Sequence, residues 1–199
     1  MGCGSSEGLQ EWPMMHAAVA FIALAVSILI GGQPARSQEW TPPQGLVLDA
    51  TRAIDRYFSL LDSGDPKRAY EMTTDGTKAL ISVSDFIEQS EQFHSKAGPL
   101  LERRLLKFTW FKDPANAPFP GVYAAVDIAT KFEKIDRHCG YIVLYQQPSG
   151  GAFQVMRAES NFIDNATAKQ IETTQSKAEL DKAWAELSGN CPNFPPANP

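Results

Sequence analysis

Few residues in this chain combine the right type and place for chemistry: a mid-strand aspartate, two histidines and two widely separated cysteines. Asp127 lies in a strictly alternating stretch, with Val122, Ala124, Val126, Ile128, Thr130 and Phe132 on one face and Tyr123, Ala125, Asp127, Ala129, Lys131 and Glu133 on the other. Ala125 and Ala129 flank it on its own face, and a carboxylate desolvated there would suit proton abstraction. Lys131 and Glu133 on the same face argue instead that this face is wet. His94 is a second candidate base, though only the fold could bring it to a partner. His138 and Cys139 are adjacent in a predicted strand, so they point to opposite faces and form no nucleophile–base pair.

A metal centre needs three or four ligands. After residue 37 the chain has two histidines and no closely spaced cysteines, so no metal site is expected. It also lacks a glycine-rich phosphate loop and a G-x-S-x-G elbow, and no cofactor is implied. The net charge is −5, one unit less negative once residues 1–37 are set aside, which lacks the basic footprint of a nucleic-acid binder. The nearest basic cluster, Glu102-Arg103-Arg104-Leu105-Leu106-Lys107, falls in a predicted strand and reads as a solvated edge or face.

The positioning elements follow from hydrophobic period. Leu46, Ala50, Ile54, Tyr57, Phe58 and Leu61 recur at helical spacing before Gly64. Asp65-Pro66 is a cap followed by proline at the first helical position, opening a short helix through Tyr70. Asp75-Gly76 is a turn, and Thr77–Ile81 one more helical turn. Ser84 is the expected cap of the next helix, whose stripe is Phe86, Ser90, Phe93 and Ala97 and whose stop is Gly98-Pro99. The period then changes. Leu101–Phe111, Val122–Phe132, His138–Gln147 and a strand with Phe153, Val155 and Arg157 at alternate positions follow in succession. Asn165-Ala166-Thr167 has the form of a glycosylation sequon but reads as the cap of a returning helix. Ser176-Lys177-Ala178-Glu179 is a capping box for a last helix ending near Gly189. Segregated helices and strands imply an α+β fold: N-terminal helices packed on a curved four-stranded antiparallel sheet, plus a C-terminal helix.

The compartment follows from the N-terminus. Ala17–Ile30 is apolar, uncharged and shorter than a membrane span, and Ala35-Arg36-Ser37 places small residues where a signal peptidase reads. Residues 1–37 are therefore expected to be a signal peptide, cut between Ser37 and Gln38, with membrane contact only during export. No Lys or Arg precedes the run, and the stretch Met1–Pro13 is long and polar, which points to a translation start at Met14 or Met15; Met1-Gly2-Cys3-Gly4-Ser5-Ser6 alternatively matches an N-acylation pattern. Residues 38–45 read as a linker, 46–164 as the main domain, 165–189 as a helical extension and 190–199 as a proline-rich tail. Export, to the periplasm or outside a Gram-negative cell, leaves Cys139 and Cys191 as an even pair suited to a disulfide. It would close a loop of about fifty residues and stabilise by roughly 3–4 kcal/mol; the alternative is two thiols, one buried and one in the tail.

Phe58-Ser59-Leu60-Leu61-Asp62-Ser63-Gly64-Asp65, the following Ala69-Tyr70, Ser84-Asp85-Phe86, Val122–Phe132, Tyr141–Tyr145 and Gly151–Val155 together resemble an exported bacterial family catalogued as domain of unknown function 4019. The resemblance runs from Leu46 to Asp164. It implies export and a cystatin-like, nuclear-transport-factor-like cone, and it carries no catalytic residues. The expected role is a non-enzymatic module binding a protein or an apolar small ligand. The alternatives are a small cone-fold enzyme of isomerase or hydrolase type, with Asp127 or His94 as base, and an exported structural scaffold.

Overall fold

Ala50, Ile54 and Tyr57 form the buried stripe of the first helix, α1 (Gln44–Asp62), in a computed structural model that describes residues 40–188. Three helices follow: α2 (Pro66–Glu71), α3 (Asp75–Leu80) and α4 (Val83–Ala97). Asp65 caps α2 by accepting from the Arg68 amide, with Pro66 in the first turn. The cap of α4 is Ser82 rather than Ser84. Ser82 holds the extended backbone a cap requires and accepts from the Asp85 amide, so the helix begins two residues earlier than the sequence suggests. Gly98 ends α4 at φ +69°, and a Cβ there would lie 3.1 Å from Lys134 Cγ.

The strands β1 (Leu100–Lys112), β2 (Val122–Phe132), β3 (Ile135–Gln146) and β4 (Gln154–Asp164) pair antiparallel in chain order, then α5 (Asn165–Thr174) and α6 (Lys177–Leu187) complete the described residues. The α+β class with helices before and after one four-stranded sheet is as expected. Residues 44 and 45 of the expected linker open α1, and the Trp40 amide donates to the Trp110 carbonyl at 2.9 Å. The Asn165 region does start a helix, with Asp164 as the capping residue. The Ser176–Glu179 capping box forms as predicted. Among the described residues, no helix is long and apolar enough to cross a membrane.

Two register shifts decide which side chains face the helices. Leu105 pairs with Ile128 but Lys107 pairs with Asp127, so Leu106 is the extra residue of a bulge. Arg103, Leu105, Phe108 and Trp110 therefore all face α1 and α4, while Lys107 is turned away. In β4, Val155 pairs with Leu144 and Arg157 with Val143. This corrects the expectation that Phe153, Val155 and Arg157 share a face: an extra residue at Met156 sends Arg157 to the opposite side.

The main core fills the space between α1, α2 and the inner sheet face, with Ile54, Val126, Ile142 and Leu144 fully buried. A smaller cluster lies across the sheet, where Cys139 and Ile163 pack against Ala168, Leu180 and Trp184. Arg137 reinforces it by donating to Asp181 on α6 at 2.8 Å. Gly140 in β3 is required by close approach, since a Cβ would fall 2.6 Å from the Glu159 carbonyl oxygen.

Candidate functional site

The inner face does not meet the helices everywhere. Beyond the main core, α1, α4 and the sheet line a half-enclosed cavity of about 270 Å³. Helix α1 contributes Tyr57, Phe58, Leu61 and Asp62; α4 contributes Phe86, Gln89, Ser90, Phe93 and His94. Arg103, Ile128, Thr130, Phe132, His138 and Gly140 line the sheet side. The stripe Phe86, Ser90 and Phe93 thus serves as a cavity wall as well as a packing face.

Two polar features stand in this aromatic surround. Arg103 grips Asp62 in a bidentate pair, Nη1 donating to Oδ2 at 2.6 Å and Nη2 to Oδ1 at 3.1 Å. Their side chains are only 15% and 20% exposed, and the guanidinium sits 4.2 Å from the Phe58 ring centroid. This corrects the reading of the Arg103 cluster as wholly solvated. Arg103 shares the inner face with Leu105, whereas its neighbours Glu102 and Arg104 are exposed.

The second feature is His138, 8% exposed, whose ring lies 5.4 Å from Phe132 and 6.1 Å from Phe93 between centroids. Burial, and then the positive charge of Arg103, lower its pKa from 6.5 to about 4, so at neutral pH it is an uncharged imidazole. Among the described residues, His138 Nδ1 and Arg103 Nε are buried polar side-chain atoms with no hydrogen-bond partner. Glu159 also borders the cavity from β4, but its side chain belongs to the other sheet face, where its carboxylate accepts from Tyr141 and Arg157.

The sequence-derived candidates are dispersed by this geometry. His94 lines the cavity on α4. Asp127 is half-buried on the opposite sheet face, in register with Lys107 on β1 and Tyr141 on β3. Cys139 is fully buried against the α6 cluster, also on that opposite face. Ser37, Gln38 and Cys191, with the signal segment, Met14 and the tail, lie outside the described residues. Among the described residues no group of three His, Cys, Asp or Glu side chains could hold a metal ion. Sequence reasoning missed Arg103, Asp62 and His138 as a group. Strand alternation carried part of the signal, because it places His138 on the face of Gly140 and Ile142, opposite Cys139.

The family described as "Protein of unknown function (DUF4019)" matches residues 53–156, just over half of the chain. The chain belongs to the DUF4019 family. No curated protein and no solved structure matches it. The DUF4019 match takes in both members of the Arg103–Asp62 pair, all of α4, and His138. It stops at Met156, before the bordering segment of β4 and before α5 and α6.

Removing one partner of a part-buried, hydrogen-bonded ion pair strands the other charge at about 1–3 kcal/mol, less than in a fully buried pair because water still reaches both side chains. Asp62→Ala is expected to lose stability on that scale in urea unfolding. The double variant Asp62→Leu/Arg103→Met should recover most of the loss, because no charge then remains buried. A second expectation concerns pH. The folded pKa of His138 is depressed, so its contribution is complete above the unfolded value of 6.5 and is lost as pH falls toward about 4. The full span corresponds to about 3 kcal/mol. Unfolding free energies measured between pH 7 and 5 should fall more steeply for the unaltered protein than for His138→Phe; equal slopes would contradict the assignment.

Proposed function

We propose that this DUF4019 member is an exported, non-enzymatic binding module that holds a small, mostly apolar ligand between its helices and its sheet. The observation carrying this reading is the cavity of about 270 Å³, walled in large part by aromatic side chains from α1, α4 and the sheet, with polar groups set among them. That composition is typical of ligand sites, where apolar walls supply affinity and a few polar groups fix orientation. The family's unknown function leaves the role open, and the geometry favours binding over catalysis. A general base works best with a pKa near the working pH, whereas His138 is held near 4. Of the two expected bases only His94 lines the cavity, since Asp127 belongs to the other face. A scaffold role would leave the cavity without a purpose.

Export belongs to the same proposal: residues 1–37 act as a signal peptide cut between Ser37 and Gln38, and the protein works in the periplasm or outside the cell. We also read the sheet as the curved cone of cystatin-like and nuclear-transport-factor-like proteins. The antiparallel meander and the bulges in β1 and β4 support this, because bulges bend and twist strands. The Cys139–Cys191 disulfide is supported by the position of α6. Its Leu180 and Trp184 pack with Cys139, and the helix delivers the chain to Leu187, four residues before Cys191.

Intact mass of the protein recovered from exporting cells should correspond to a chain beginning at Gln38 and should rise by two hydrogens on reduction. A retained residue 1–37 segment would sink export with cleavage, and an unchanged mass on reduction would sink the disulfide. For the cavity, indole added to ¹⁵N-labelled protein should produce saturable amide shifts centred on Ser90, Thr130 and Gly140. Saturable shifts confined to other surfaces would move the binding site elsewhere.

A further inference from the structure

We infer that the cavity takes a molecule of about two fused rings that is uncharged at neutral pH and carries one hydroxyl or carbonyl group. This rests on the reading of the cavity as a binding site and adds the chemical class of its occupant. Size comes first. A cavity of about 150 Å³ accepts a single benzene ring, and drug-sized ligands occupy roughly 300–1,000 Å³. At about 270 Å³ the space between α1, α4 and the sheet falls between them. Flat aromatic walls from Phe58, Phe86, Phe93 and Phe132 suit a planar ring system, which stacks or meets them edge-on.

Charge decides the rest. Asp62 and Arg103 neutralise each other through two hydrogen bonds, so the wall presents no net charge from this pair. Glu159 is committed to Tyr141 and Arg157, and His138 is enclosed by phenylalanines. An anionic ligand could claim Arg103 only by displacing Asp62, or would sit beside that carboxylate and be repelled. A cationic ligand meets the same obstacle from the guanidinium. Either would also surrender its hydration to a largely aromatic wall, which is costly for an ion without a dedicated counter-charge. A neutral molecule avoids both penalties. Its hydroxyl or carbonyl belongs at the Arg103–His138 side, where Arg103 Nε and His138 Nδ1 have no partner within the described residues.

The test compares three probes of one shape at neutral pH: 2-naphthol, 2-naphthoate and 2-naphthylmethylammonium, each titrated into the ¹⁵N-labelled protein. The naphthol should shift the amides of Ser90, Thr130 and Gly140 and saturate at a concentration at least about tenfold below either charged probe. In Asp62→Asn, which leaves the Arg103 charge unbalanced, the naphthoate should tighten relative to the unaltered protein and the ammonium should weaken. If a charged probe binds the unaltered protein as tightly as the naphthol, the inference of a neutral ligand is overturned while the cavity remains a binding site. If none of the three moves these amides, the binding reading fails with it.

Discussion

The guanidinium of Arg103, enclosed between the Asp62 carboxylate and the Phe58 ring, fixes the end of α1 to the edge strand of the sheet. An arginine shielded to this degree tolerates few arrangements, because its charge must keep a partner at hydrogen-bonding distance. The last turn of α1 cannot slide along β1 without breaking both bonds to Asp62. Gly64 and the capped start of α2 follow directly, so this pair also sets where the second helix begins and how the helical layer turns over the sheet. The same contact forms one wall of the cavity. Structure and candidate function therefore share a single polar anchor, and the rest of the wall can be aromatic.

That anchor works only because β1 breaks its own alternation. Arg103 and Leu105 face inward by the period of two, and continued strict pairing would have driven Lys107 into the core beside them. The extra residue at Leu106 reverses the phase, placing Phe108 and Trp110 inward and Lys107 outward. A matching shift near Met156 in β4 turns Arg157 outward, where it meets Glu159 and Tyr141. Both ends of the sheet keep their inner faces apolar by inserting a residue instead of substituting one. Backbone contacts then occupy both edges: Trp40 meets β1, while Met72 and Thr74 bond to Val155 of β4.

These devices explain what could be read in the sequence. The element order, the α2 cap, the alternation of β2 and the last capping box depend on local chemistry, and each is visible within a few residues. The cap at Ser82 was harder, because Ser82 and Ser84 are both competent and only the backbone conformation separates them. The pairing of Asp62 with Arg103 spans 41 residues and follows no local rule. Bulges likewise leave no fixed signature, so alternation assigned Arg157 to the wrong face. The sequence neighbour of His138 is Cys139, whereas its partners in the fold, Phe93 and Phe132, come from other elements.

The sheet has two unlike faces, and the difference bears on how the protein could be used. The outer face carries Lys107, Asp127, Glu159 and Arg157 and is closed near the β3–β4 end by α5 and α6, which shelter Cys139. Its charges are spread along strands, where water can reach many of them. The inner face sets Arg103 and His138 among aromatic rings, Phe58 against the guanidinium and Phe93 and Phe132 against the imidazole. A charge held among rings must be matched within the protein, as Arg103 is, or must be absent, as in the neutral imidazole of His138. Once those requirements are met internally, the cavity has no net charge to offer a ligand from its buried groups. Selectivity there has to come from shape, ring contact and hydrogen-bond direction.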